Sequence, residues 1–175
     1  MALPKKFESF LKDKKIKFDI VNHKVVYTAY DLAATLHVEP KTIAKSLLIG
    51  ADRELVLALV PGNMNLDLAK LKKVVVAAWK KAGIKAPKKV DLASEKMIQK
   101  KITKKTGALI PFGSYYKLQT FCDSKLLKEK KLLLNTESFV ESLQMTGSNY
   151  KKAENPVVGS FSKAKKLPKI KKKSK

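Results

Sequence analysis

Ser46-Leu47-Leu48-Ile49-Gly50-Ala51-Asp52-Arg53-Glu54-Leu55-Val56-Leu57-Ala58-Leu59-Val60-Pro61-Gly62-Asn63 holds two apolar runs on either side of a polar break. Each run has the length of a strand and falls short of a helix. With Gly50-Ala51-Asp52-Arg53 between them, the runs predict a β-hairpin with a four-residue connection, closed after the second strand by Pro61-Gly62-Asn63. A hairpin sets neighbouring strands antiparallel, which argues against a regular strand–helix–strand parallel sheet.

Working outward from the hairpin, short helices and strands alternate irregularly. Pro4 suits the first turn of a helix that places Phe7, Phe10 and Leu11 on one face. Residues 18–21 read as a strand ending near His23, and Thr28 with Asp31 forms a capping-box signature for a helix through Leu36. Pro40 starts a helical turn that runs into Lys45. Beyond the hairpin, Asn65 or Asp67 caps a helix carrying Leu68 and Leu71, with its end left open by Val74-Val75-Val76. Ser94 caps another helix, through Ile102. Strands are expected at 90–92, 118–122, 131–134, 142–145 and 157–161, with a lysine-rich helix between the second and third of these. The sum is an α+β fold.

The chain has 175 residues, 45% of them hydrophobic, enough for one domain with a real core. Its formal net charge is +23, and Arg53 is its single arginine. A lysine surface of this size favours polyanions, chiefly nucleic acid. It meets phosphate as mobile point charges, without the rigid fork that reads bases. Residues 163–175 carry eight lysines and no acid, and without them the body remains at +15. We therefore read residues 1–162 as the domain and 163–175 as a basic, disordered tail. Cys122 is the lone cysteine, which excludes an internal disulfide. The charged N-terminus lacks a signal-peptide core, and no run approaches the roughly 18 apolar residues of a membrane helix. The expectation is a cytoplasmic protein with no membrane partner.

Common catalytic signatures are missing: no phosphate-binding Gly-Lys-Ser/Thr loop, no dinucleotide glycine fingerprint, no zinc-protease histidine pair and no Gly-x-Ser-x-Gly elbow. Three segments nevertheless occur in a telling order. They are His23-Lys24-Val25-Val26-Tyr27-Thr28-Ala29-Tyr30-Asp31-Leu32-Ala33, Ile43-Ala44-Lys45-Ser46-Leu47-Leu48 and Gly107-Ala108-Leu109-Ile110-Pro111-Phe112-Gly113. In this order, with Val60-Pro61-Gly62-Asn63 and the junction at Asp123, the chain resembles the YbaK family over residues 14–161. These are free-standing relatives of the editing domain of bacterial prolyl-tRNA synthetase. The resemblance implies a mixed, partly closed β-sheet surrounded by helices. It also implies hydrolysis of the ester that joins an amino acid to the terminal adenosine of a mischarged tRNA, without metal, cofactor or protein nucleophile.

Carried onto this chain, the family's pocket lysine matches Lys45, and its Gly-x-x-x-Pro loop matches the segment from Gly107 to Pro111. Ester hydrolysis builds negative charge on the carbonyl oxygen, so amides at Gly107 and Ala108 would serve as donors there. Lys45 would hold a terminal phosphate or a ribose oxygen, and water would attack, positioned by the site and by the substrate's own ribose hydroxyl. Further substrate-binding candidates are His23, Tyr27, Ser46, Met64, Ile110, Pro111 and Asn135. His23 reads equally as a hydrogen-bonded residue at a strand end, Ser46 as an ordinary strand serine, and the glycine loop as a simple turn. The chain departs from the family at Thr136-Glu137, where relatives often carry Ala-Gly or Gly-Gly, and at Ile110, where a smaller residue or proline is usual.

The leading expectation is thus a trans-acting aminoacyl-tRNA deacylase whose partner is the acceptor end of tRNA. Two alternatives stand beside it. One is a non-catalytic RNA-binding module of the same fold, and the other a protein that docks on a synthetase through its lysine tail.

Overall fold

In the computed structural model, which describes residues 3–166, the hairpin is the spine of the protein. Strand β2 (Ala44–Ala51) pairs antiparallel with β3 (Glu54–Pro61), from Ala44 opposite Pro61 to Ala51 opposite Glu54. The connection is two residues, Asp52-Arg53, and not four. Asp52 takes a left-handed φ of 53°, and its carboxylate accepts the amides of Lys88 and Lys89 at 2.9 and 2.8 Å. So tight a reversal frees Gly50 and Ala51 to pair with Asp91 and Val90 of β5 (Val90–Leu92).

On the other side, β3 pairs parallel with β6 (Gln119–Asp123), and β6 parallel with β9 (Val157–Gly159). The mixed sheet runs β5-β2-β3-β6-β9. Strand β3 lies at its centre, which explains its unbroken apolar sequence: both faces are covered. Val56, Ala58 and Val60 meet Leu71, Val75 and Trp79 of helix α3 (Leu68–Lys81). Leu57 and Leu59 meet Ile110, Phe112, Phe7 of α1 (Lys5–Asp13) and Tyr150 of α5 (Gly147–Glu154). Val74-Val75-Val76 stays inside α3, because Val75 completes the buried stripe at four-residue spacing.

A second sheet, antiparallel, runs β1-β8-β7: β1 (Asp19–Asn22), β8 (Glu141–Met145) and β7 (Leu132–Asn135). A third pairs β10 (Ser162–Ala164) with β4 (Met64–Leu66). The fold is α+β, as expected, but its sheets do not close into a partial barrel. Helix α2 (Ala29–Leu36) starts with the expected capping box: Thr28 Oγ1 accepts the Asp31 amide at 3.1 Å and Asp31 Oδ2 accepts the Thr28 amide at 3.2 Å. Ser94 caps α4 (Glu95–Lys101).

Two expected elements differ, and one observed element was not among the expectations. The lysine-rich helix before β7 is one 3-10 turn, Leu126–Lys128. The strand foreseen at 157–161 divides into β9 and β10, because buried Asp123 takes the amides of Phe161 and Ser162 and turns the chain between them. Helix α5, capped by Thr146, was not foreseen. Lys163 and Ala164 belong to β10, so the ordered body extends past residue 162; residues 167–175 of the expected tail lie outside the described residues. Among the described residues no helix is long and apolar enough to cross a membrane.

Candidate active site

Where the start of β2 passes between the second sheet and the first turn of α2, the elements leave a hollow of about 480 Å³. Six of the ten residues singled out in the sequence line it: His23, Tyr27, Lys45, Ser46, Gly107 and Asn135. They come from four separate stretches of chain.

Lys45 stands opposite Val60, half-buried, and its ammonium donates to the Met64 carbonyl at 2.7 Å. Burial pushes its pKa below the ordinary lysine value, and the nearby Lys165 charge pushes the same way. An ammonium has three donors, so one bond to Met64 leaves others for a ligand. Met64 itself does not line the hollow. It serves through its carbonyl, while its sulfur lies 3.4 Å from the Ser162 hydroxyl.

The Ser46 hydroxyl is, among the described residues, the buried side-chain polar atom without a hydrogen-bond partner. Buried hydroxyls are normally satisfied, so an orphan on a cavity wall marks a position for a ligand atom or water. His23 is held at both ring nitrogens: Nδ1–H donates to the Lys24 carbonyl at 2.8 Å, and Nε2 accepts from the Ser142 hydroxyl at 2.9 Å. Those partners set the tautomer. His23 is therefore a bonded strand-end histidine that also forms part of the wall.

The glycine loop differs from expectation. It forms a 3-10 turn, Thr106–Ala108, in which the Ala108 amide donates to the Lys105 carbonyl at 3.0 Å. That amide is not available to an oxyanion. Ala108, Ile110 and Pro111 are buried away from the hollow. Ile110 packs in the core and gives its amide to the Tyr116 hydroxyl at 3.1 Å, and Pro111 accepts the Tyr150 hydroxyl at 2.5 Å. The bulk of Ile110 thus takes no space from the pocket. Gly107 alone of this loop reaches the wall; a Cβ there would meet Phe139 at an ordinary 3.7 Å, so glycine keeps room open without being required by strain.

Glu137 likewise leaves the hollow clear. Its φ is 61°, a left-handed position that suits the glycine of relatives, and its carboxylate turns away to accept the Tyr116 hydroxyl at 3.3 Å. Thr136 is buried, with its hydroxyl donating to the Glu141 carbonyl at 3.0 Å. Gly62, by contrast, is sterically required: a Cβ would come within 2.7 Å of the Pro40 carbonyl and 2.9 Å of Ala29 Cβ.

The wall also includes residues not proposed for the site from sequence, among them Tyr30, Phe139, Ser142 and Lys165. Tyr27 is 69% exposed and packs on Phe139, with ring centroids 5.1 Å apart. Tyr30 is 48% exposed, and Lys165 Nζ lies 4.1 Å above its ring. Exposed rings beside a cation suit unpaired nucleotides. The signal for Tyr30 was present as an aromatic one turn from Tyr27. Lys165 gave none, since it sits in a run of lysines.

These features define an α+β domain with a semi-enclosed hollow, cationic and hydroxyl-bearing inside and aromatic at its mouth. The chain belongs to the aminoacyl-tRNA editing domain family, whose sequence model matches residues 23–153. Comparison with curated proteins gives no match. Among solved structures, the chain is similar to a candidate trans-editing enzyme for prolyl-tRNA synthetase, with TM-score 0.72, 18% identity, and 91% of this chain and 96% of that one covered. It is also similar to a hypothetical protein, with TM-score 0.73, 20% identity, and 90% and 99% covered. A third likeness is to a candidate signal-transduction protein of Marinobacter aquaeolei, with TM-score 0.65 and 15% identity. It takes in 92% of this chain and 31% of that one. At such identities these neighbours describe the fold, and the fold alone does not assign an activity.

Proposed function

We propose that this protein is a trans-acting deacylase that hydrolyses the ester of mischarged aminoacyl-tRNA. The observation that carries the reading is the meeting of Lys45, Gly107 and the orphan Ser46 hydroxyl at one hollow. Membership of the editing-domain family supplies the substrate class.

In this reading the terminal aminoacyl-ribose enters the hollow between Lys45 and Gly107. Water adds to the ester carbonyl, and the resulting oxyanion takes its hydrogen bonds from the Ser46 hydroxyl and the Lys45 ammonium. The bond to the ribose oxygen then breaks and that oxygen takes the proton given up by the attacking water, so free amino acid and an uncharged tRNA terminus leave. His23, fixed by Lys24 and Ser142, orients the wall. Holding ester and water together lowers the barrier without a dedicated base.

The test is a deacylation panel with tRNAs mischarged with alanine, cysteine, serine and proline. Lys45→Ala should slow the best substrate ten-fold or more, about 1.4 kcal/mol of barrier; an unchanged rate overturns the assignment. The Ala108 amide, already spent on its own turn, favours a second reading in which the site holds the RNA end without hydrolysing it. Tight binding of charged tRNA with no turnover across the panel selects that alternative.

A further inference from the structure

The segment that follows the family match brings a second cation to the hollow. Strand β10 pairs with β4 so that Ala164 lies opposite Met64, the residue whose carbonyl holds the Lys45 ammonium. The next residue, Lys165, lines the hollow and spans the Tyr30 ring at 4.1 Å. The family match ends at residue 153, so this cation belongs to the part of the chain beyond it.

β10 is fixed by more than its own short pairing. Asp123 accepts the amides of Phe161 and Ser162 at 2.9 and 2.8 Å, immediately before β10 leaves the body. Phe161 is fully buried against α3 and the mixed sheet. Lys165 therefore leaves from an anchored backbone. Among the described residues it has no ion pair, and neither has Lys45. Two ammonium groups at one cavity without a carboxylate leave a place whose missing complement is an anion. Burial chiefly, and the Lys165 charge in addition, hold the Lys45 pKa below the ordinary lysine value.

We infer that Lys165 and Tyr30 form a clamp for the last phosphodiester and the terminal base of the RNA 3′ end, holding the terminal nucleotide while its ester lies in the hollow. Lys165 supplies the charge-assisted contact to phosphate and Tyr30 a face for the base, with Tyr27 and Phe139 forming the adjoining aromatic wall. This rests on the proposed deacylase reading and adds a positioning residue to it. The residues 163–166 of the expected tail thereby become part of the site and not a loose arm.

The experiment compares two substrates of the full-length protein. One is mischarged tRNA, and the other is the aminoacyl-adenosine that carries the same ester but no phosphate. Lys165→Ala should raise KM for the tRNA about ten-fold with kcat nearly unchanged, and leave the aminoacyl-adenosine untouched. Lys165→Arg should restore the tRNA KM. Equal losses on both substrates mean a structural role and overturn the inference, as does no loss on either.

Should the wild-type protein hydrolyse neither substrate, the deacylase reading fails, and fluorescence anisotropy then tests the clamp separately. Binding of a tRNA with an intact 3′ end is compared with one lacking its terminal nucleotide. Lys165→Ala should weaken only the intact RNA, by about ten-fold, and reduce its logarithmic salt slope by about one. Equal weakening of both RNAs reduces Lys165 to general surface charge and sinks the clamp.

Discussion

Ser46 shows how a single side chain separates a binding role from a structural one. Its hydroxyl is buried without a partner, so in the free protein it costs stability. Ser46→Ala should leave the protein as stable as before or firmer by about 1 kcal/mol, while deacylation falls by about ten-fold. Urea unfolding alongside the tRNA assay checks both halves, and a variant that loses stability and activity together speaks for a packing role. Its neighbour Lys45 sits on the opposite face of β2, yet both reach the hollow, because the cavity wraps the end of the strand. From sequence, strand alternation sends these two side chains apart. Ile110 and Glu137, two of the positions where the chain departs from the family pattern, both turn away from the pocket.

At the scale of elements, Asp123 links the mixed sheet to β10. Burial alone would raise its pKa, but the amides of Lys125, Phe161 and Ser162, with the Ser162 hydroxyl, outweigh that and hold it below the usual value. A carboxylate depressed in the folded state stabilises the protein above its unfolded pKa, and that contribution is lost as pH falls through the folded one. Asp123→Asn should therefore cost about 2 kcal/mol at neutral pH, with the gap to wild type narrowing in acid. Urea midpoints across the acid range measure this, and a gap that stays constant with pH contradicts it. Because Lys165 directly follows β10, the same variant should also weaken tRNA use. The motif at 60–63 has its own element-scale reason, since Gly62 lets β3 turn beneath Pro40 and Ala29, where a side chain would strike backbone.

Over the whole molecule, a net charge of +23 carried almost entirely on lysine makes long-range attraction the first event in meeting RNA. Each lysine–phosphate contact releases counterions, so tRNA affinity should fall at least ten-fold between about 50 and 200 mM salt. Anisotropy titrations read this directly; affinity indifferent to salt would contradict a phosphate-based contact. The clamp predicts that only part of this slope belongs to the RNA's 3′ end, the remainder being spread over the lysine surface.

Local pattern settled a large part of this protein in advance. The hairpin, though not its exact ends or its two-residue connection, the capping box at Thr28 and Asp31, the cap at Ser94 and the α+β class depend on neighbours a few residues apart, where periodicity and side-chain chemistry act directly. The ordered motifs likewise gave the family. The tertiary structure alone decided which motif residues meet. It turned Ala108, Ile110 and Pro111 into the body, used Met64 through its carbonyl, and brought Lys165 back across about 100 residues of chain to the hollow through β4 and β10. The reason is physical: pairings such as β4 with β10 and β1 with β8 join distant stretches by packing and by buried hydrogen bonds such as those of Asp123. A local window of sequence contains neither partner's position.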